Sequence, residues 1–212
     1  MDAQSGRYPV SLTVEYPDRP LDRLSTFFRI FAIVPIAVIL CLLVGTGYHH
    51  DPDGMRRGFE YATAGFAVAP ALLMILFRRK YPRWWFDWNL NLNRFLFRVS
   101  AYGALLRDEY PSTDEEQAVH LEVPYPDAKT ELNRWLPLVK WFLVIPHLFV
   151  LLFLDLAAYV CVIVAWFAIL FTGRYPRPLF DFVVGVMRWQ ARVAWYAVLF
   201  ATDKYPPFSI EA

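Results

Sequence analysis

The chain has 212 residues, of which 57% are hydrophobic and 19% charged, with a formal net charge of +1. A soluble domain of this size has little reason to gather its apolar residues into unbroken runs, so the composition argues against one and for a membrane protein. A balance this close to neutral gives no basis for nucleic-acid binding.

The first segment holds Arg7, Asp18, Arg19, Asp22 and Arg23 ahead of any apolar run. It does not read as a secretory signal, and the chain is expected to insert through its own first membrane helix. Alternation of Val10, Leu12 and Val14 predicts a short strand, closed by the turn Tyr16-Pro-Asp18. A helix entry through Arg23 leads into the apolar run Ile30–Val44, where Pro35 is expected to kink the helix. The loop Gly45–Gly54 carries His49, His50, Asp51 and Asp53, a solvated turn in the plain reading and a weak metal site in the sharper one. Tyr61–Phe77 is a second apolar run, and a long helix is predicted from about Pro82 to Arg107.

The same order then recurs. Val10-Ser-Leu-Thr-Val-Glu-Tyr-Pro-Asp18 returns as Val119-His-Leu-Glu-Val-Pro-Tyr-Pro-Asp127. Tyr81-Pro-Arg-x-x-Phe-Asp87 returns as Tyr175-Pro-Arg-x-x-Phe-Asp181, and Arg94-x-x-x-Arg98-Val-x-x-Tyr102 as Arg188-x-x-x-Arg192-Val-x-x-Tyr196. The repeated unit is a module of about 100 residues. Its boundaries fall at 8–111 and 119–208, with 112–118 as linker. In the second half the helix entry is Arg134, and the apolar block from Trp141 to Phe171 reads as a hairpin. Its arms are about Leu136–Phe153 and Leu156–Phe171, turning at Leu154-Asp-Leu-Ala157, with Pro146 matching Pro35. At 1.5 Å per residue these arms are roughly 24–27 Å long, short for a hydrocarbon core of ~30 Å. A last helix is predicted from Pro178 to Thr202. Cys41 and Cys161 lie in apolar segments and read as small core residues, not as a disulfide or metal pair.

Charge placement sets the expected topology. With the long last helix of each half lying in the membrane interface, 19 of the 21 Lys and Arg residues share the side of both termini, and only Arg56 and Arg57 lie opposite. With those helices spanning, Arg94, Arg98, Arg188 and Arg192 would sit at membrane depth, at roughly +2.5 to +3.5 kcal/mol each. The expected fold is therefore a mainly α membrane protein. It has about four transmembrane helices in two hairpins, two interfacial amphipathic helices and a small cytoplasmic two-stranded sheet. Both termini are cytoplasmic, and the strands Val10–Tyr16 and Val119–Tyr125 pair on that side.

The long helices carry the one repeated polar pattern. Asp181, Gly185, Arg188 and Arg192 fall within about 60° on a helical wheel, as do Asp87, Asn91, Arg94 and Arg98. The structural reading is an interfacial helix whose arginines reach headgroups or tie the helix to the module's own loops. The functional reading is a paired anion or lipid-headgroup site made of Asp87, Arg94, Arg98, Asp181, Arg188 and Arg192, where the two stripes meet. Tyr-Pro pairs at Tyr8, Tyr16, Tyr81, Tyr110, Tyr125, Tyr175 and Tyr205 stop helices or shape turns. Lys140, His147 and Asp155 could line a conduction path, though only in the second half. No catalytic set, no metal ligands and no cofactor motif are read from the chain.

Four stretches of the second half carry a family resemblance: Trp141-Phe-Leu-Val-Ile-Pro-His147, Trp166-Phe-Ala-Ile-Leu-Phe-Thr-Gly-Arg-Tyr-Pro176, Phe180-Asp-Phe-Val-Val-Gly-Val-Met-Arg-Trp189 and Tyr205-Pro-Pro-Phe208. They resemble the bacterial membrane-protein family catalogued as domain of unknown function 4389, and the first half resembles it in diverged form. Arg78-Arg-Lys stands there for Thr172-Gly-Arg, and Asn89, Asn91 and Asn93 interrupt the apolar face. The resemblance implies a bacterial inner-membrane protein and supplies no activity. The expected function is a non-enzymatic scaffold or accessory protein that binds membrane lipids or a partner within a homo-oligomer or larger membrane complex. The alternatives are an oligomeric small channel or transporter and, after it, a membrane enzyme.

Overall fold

The computed structural model describes residues 8–44, 71–113 and 115–211. The loop Gly45–Gly54, Arg56, Arg57 and most of the run Tyr61–Phe77 lie outside the described residues, as does the side chain of Cys41. Strand β1 (Ser11–Val14) is followed by α1 (Arg23–Val44), a π-helical turn at Met74–Arg78, and α2 (Arg83–Gly103). Strand β2 (Val119–Glu122), α3 (Leu136–Leu143), α4 (Ile145–Thr172) and α5 (Arg177–Ala197) complete the chain.

The two strands pair antiparallel, with Leu12 opposite Leu121 and Val14 opposite Val119. Alternation does the sorting: Leu12, Val119 and Leu121 are buried, while Thr13, His120 and Glu122 are exposed. A two-stranded ribbon is marginal in water, so its apolar face needs cover. That cover comes from α5 over β1 and α2 over β2, and the strands, both helices and the last turns of α4 share one core.

Repeated positions make reciprocal contacts. The Tyr16 hydroxyl donates to the Tyr175 carbonyl, and the Tyr125 hydroxyl donates to that of Tyr81. Tyr16 meets the edge of Phe180 at 5.0 Å, and Tyr125 that of Phe86 at 5.2 Å. The Arg177 guanidinium lies 4.5 Å from the Tyr16 ring centre, and that of Arg83 lies 5.4 Å from the Tyr125 ring. Each Tyr-Pro-Arg-x-x-Phe motif thus grips the turn that follows the strand of the other half.

Helix ends follow the same economy. The Asp22 carboxylate accepts the Leu24 N–H at 3.0 Å and caps an orphan amide at the start of α1, while the Asn133 side chain accepts the Trp135 N–H at 3.0 Å in the turn that leads into α3. At the other end Gly173 adopts φ 73° and donates its N–H to Ile169, the left-handed stop that glycine allows. Arg79 makes the same stop at φ 49° without that freedom.

Two expectations change. Residues Leu154–Ala157 are helical, so the second half has no hairpin and α4 runs unbroken for 28 residues, about 42 Å at 1.5 Å per residue. The segment holds Leu, Asp and Ala but neither Gly nor Pro, so nothing in its backbone chemistry stops a helix. Pro146 instead stands in the first turn of α4, and the bend falls at Val144, between α3 and α4. Among the described residues, one helix, Ile145–Thr172, is long and apolar enough to cross a membrane. The second change concerns α5, whose apolar sides are covered by protein: Val183, Val184, Val186, Trp189 and Trp195 are all buried. It is a core helix, not a helix with its apolar sides left for the membrane interface. On α2, Trp84 and Trp88 remain exposed.

Leu12→Ala is expected to cost about 2–5 kcal/mol, because the site sits between two elements and cannot collapse freely. Thr13→Ala, on the exposed face of the same strand, should stay within about 0.5 kcal/mol. Thermal unfolding in detergent, followed by circular dichroism, compares the two, and equal losses would refute this account of the sheet.

Candidate functional site

The repeated arginines come first, because the sequence singles them out. Arg94 donates Nε–H to the Leu121 carbonyl at 3.2 Å, and Arg188 donates Nε–H to the Leu12 carbonyl at 3.0 Å. In an antiparallel ladder, alternate carbonyls point away from the partner strand. Glu15 bonds Ala118 across the ladder, which puts Leu12 and Leu121 in the outward-facing class. The two arginines therefore each satisfy one outward-facing carbonyl, on opposite edges of the sheet.

The remaining guanidinium donors hold nearby chain segments. Arg98 donates to the Ser112 carbonyl at 2.8 Å. Arg188 and Arg192 bind the C-terminal tail, through the carbonyl of Ile210 at 3.0 Å, that of Ser209 at 3.2 Å, and that of Glu211. Gly185 fits this tail, since a Cβ there would lie 2.9 Å from both Cβ and the carbonyl oxygen of Ile210. Asp87 and Asp181 are exposed. The two stripes do not converge on one anion site; the sheet lies between them.

Pattern reading names Lys140, as a residue that could line a conduction path, but does not join it to Arg29 as a second pair of cations. Arg29 is 2% exposed and Lys140 is fully buried, each inside an apolar helix entry. Arg29 pairs with Asp108, donates to the Arg107 carbonyl at 2.9 Å, and lies 4.6 Å from the Tyr102 ring centre. Lys140 pairs with Asp203 at 2.8 Å, donates to the Thr202 carbonyl at 2.7 Å, and lies 4.8 Å from the Tyr196 ring centre. Burial pulls the Lys140 ammonium below the usual lysine range, and the Asp203 carboxylate opposes that shift. The signal in the sequence was the matched spacing of a cation six residues after each helix-entry arginine, at Arg29 and Lys140.

The other polar residues of the apolar block are engaged. His147 is buried, accepts the Trp189 indole N–H at Nδ1 (3.0 Å), and stacks on Phe208 at 3.9 Å. Asp155 accepts from the Gln190 amide at 2.7 Å. Cys161 is a free thiol beside the core. Among the described residues, no group of three or more His, Cys, Asp and Glu side chains could hold a metal ion.

Among the described residues, two surfaces with charged linings stand out. A half-open cleft of about 1040 Å³ lies beside the sheet, with Tyr8, Arg94, Glu122, Tyr125, Glu131 and Lys204 in its lining, charges of both signs. The basic turns form the other surface. Arg78, Arg79, Lys80 and Arg83 are exposed between the π-helical turn and α2, next to exposed Trp84, and Arg174 and Arg177 are exposed between α4 and α5.

Residues 135–209 match the model of a family described as domain of unknown function (DUF4389). The matched DUF4389 segment holds α3, α4 and α5, and with them Lys140, His147, Arg188, Arg192 and Asp203. The match is to one copy, and Arg29, Arg94, Arg98 and Asp108 lie outside it. No curated protein and no solved structure matches the chain.

Asp203→Asn strands a buried ammonium and is expected to cost about 3–5 kcal/mol. Combining it with Lys140→Met should restore most of that stability. Thermal unfolding of both variants decides, and a double variant no better than the single one would refute the pairing. Gly185→Ala should cost about 1–3 kcal/mol by forcing the tail off α5. Faster proteolysis after residue 205 is the expected signature, and unchanged protection would sink it.

Proposed function

We propose that the protein is an integral membrane scaffold or accessory protein of the bacterial inner membrane, embedded through α1 and α4 and carrying its sheet module on the cytoplasmic side. The observation that carries this reading is the outward surface of those helices. On α1, Leu24, Phe27, Phe28 and Phe31 are exposed, and on α4 so are Phe149, Leu152, Phe153, Leu156, Val160 and Phe171. An apolar surface of that extent is paid for in water only by association or by a membrane. The pairing of β1 with β2 supports both strands lying on one side, and the distribution of Lys and Arg supports the cytoplasm as that side.

Residues 8–111 are read as a diverged copy of the DUF4389 module at 119–208. The reciprocal contacts of Tyr16 with Tyr175 and of Tyr125 with Tyr81, and those of Arg94 with β2 and of Arg188 with β1, support this, since divergence has kept both halves of each exchange. Headgroup contact is assigned to the basic turns, because the arginine stripes are occupied by backbone carbonyls. Four exposed cations beside an exposed tryptophan, at the end of an apolar segment, suit anionic headgroups. A second reading, an oligomeric small channel or transporter, draws on Asp155, an exposed carboxylate midway along an otherwise apolar helix.

Two measurements test the proposal. Leu156→Cys should resist a hydrophilic maleimide in vesicles, while Glu116→Cys should react. Equal reactivity would remove α4 from the bilayer. Replacing Arg78, Arg79 and Lys80 together by Gln should lower the phosphatidylglycerol retained by the purified protein; unchanged retention would reject the basic turn as the headgroup contact.

A further inference from the structure

Length and composition would let α4 cross a bilayer, but its attachments fix which way it points. Three consecutive residues of α5 bind three different places. Arg188 donates Nε–H to the Leu12 carbonyl of the sheet at 3.0 Å, Trp189 donates its indole N–H to His147 Nδ1 at 3.0 Å, and the Gln190 amide donates to Asp155 Oδ1 at 2.7 Å. Positions 188 and 190 stand about 200° apart on a helix of 3.6 residues per turn, so the sheet and α4 lie on opposite sides of α5. They also lie at one level, between the ends of α4. Nearer its other end, Ala165 and Ile169 are buried in the same core as Leu12 and Leu121. Both ends are fastened to this body: the Tyr205 hydroxyl donates to the Leu143 carbonyl at 3.0 Å just before α4, and the Gly173 carbonyl just after it accepts the Leu21 N–H at 2.9 Å.

The far face of the sheet is polar. Thr13, His120 and Glu122 are exposed there, and His120 pairs with Glu15 at 3.2 Å. Packed layers stand about 8–10 Å apart, so an α4 set along the membrane normal would carry the sheet sideways by roughly 16–20 Å and leave its charges at hydrocarbon depth. With α4 in the membrane plane, the same two layers carry the sheet out toward the cytoplasm.

The surface of α4 has the matching form. Its exposed large apolar residues, from Ile145 through Leu156 to Phe171, all fall on one arc of about 160° at 100° per residue. His147, Leu151, Ala165 and Ile169, its buried residues, lie on the opposite side. Asp155 is exposed at the border of the arc, where an in-plane rod meets headgroups and water and a spanning rod would hold a carboxylate in hydrocarbon. Exposed Lys204 beside the start of α4, and exposed Arg174 and Arg177 after its end, place cations for anionic headgroups at both ends.

We infer that α4 lies in the membrane plane, its apolar arc seated in the cytoplasmic leaflet alone and both its ends on the cytoplasmic side. The inference rests on the bilayer reading above and specifies how α4 is embedded.

The test uses the full chain with Cys41 and Cys161 replaced by Ala, in vesicles of phosphatidylethanolamine and phosphatidylglycerol. One nitroxide is placed at Ile145→Cys, Leu156→Cys or Phe167→Cys, three positions of the arc spaced by 11 residues. Collision rates with oxygen and with a water-soluble nickel chelate report depth. The three depths are expected to agree, whereas a spanning helix would place Leu156 about 16 Å deeper than the other two, at 1.5 Å per residue. That gradient overturns the inference and leaves the bilayer reading standing. Nickel collisions as frequent at Leu156 as at a label on Glu116→Cys overturn both. Spin–spin broadening at all three positions gives the arc to a second copy of the chain and overturns the leaflet seat. A second measurement needs only exposed positions. In Arg174→Cys and Lys204→Cys, an impermeant maleimide should label neither site in spheroplasts and both in inverted membranes, read against the labelling of the unaltered chain. Should the cysteine-free background not fold, as read by circular dichroism, this measurement decides alone. Labelling of the two sites from opposite sides overturns the inference, and labelling of both in spheroplasts overturns the cytoplasmic leaflet.

Discussion

Leu12 and Leu121 face each other at the middle of a ladder four residues long on each side, and the rest of the fold is organised by the need to cover it. So short a ribbon exposes one apolar face and two polar edges. The face is covered by α2 and α5, and one outward-facing carbonyl on each edge is met by Arg94 or Arg188, whose planar donors take an acceptor that a third strand would otherwise use. Because each helix reaches the strand of the other half, neither half holds a finished core by itself. The Tyr16 and Tyr125 hydroxyls, bound to carbonyls at the start of the opposite helices, fasten the same exchange.

This constraint explains where the charge went. A guanidinium placed on an otherwise apolar helix face needs either water, phosphate or a set of carbonyls. Here the exposed edges of a two-stranded sheet and the terminal segment Ser209–Glu211 supply carbonyls within reach. Arg29 and Lys140 meet the same need by pairing with Asp108 and Asp203 and lying over tyrosine rings. Such buried pairs contribute less to net stability than to uniqueness of register, since a misaligned helix would strand a charge. Six exposed cations, Arg78, Arg79, Lys80, Arg83, Arg174 and Arg177, gather at the two turns that follow the apolar helices, where headgroup phosphates are within reach on the proposed orientation.

The second half differs from the first in length between its anchors. From Arg23 to Lys80 the chain passes through α1 and the apolar run Tyr61–Phe77, whereas from Arg134 to Arg174 it is a bent helix alone. Both ends of that path are tied to the module. Lys140 is bonded at Thr202, and the Gly173 carbonyl accepts the Leu21 N–H at 2.9 Å. Between those ties α4 presents most of its surface outward.

Read alone, the sequence determined the short alternating strands, the helical entries, the repeat of Tyr-Pro-Arg-x-x-Phe-Asp and the apolar character of 145–172. These depend on local periodicity and on proline and glycine chemistry, which a linear pattern carries. It also singled out Arg94, Arg98, Arg188 and Arg192 as one repeated set on one helix face. Tertiary structure decided what that set does, because a carbonyl acceptor such as that of Leu12, 176 residues before Arg188, leaves no local mark. It likewise decided that 154–157 continues a helix. An apolar run of that length fits either a hairpin or a rod, and Leu154–Ala157, with neither Gly nor Pro to turn the chain, stays helical within α4.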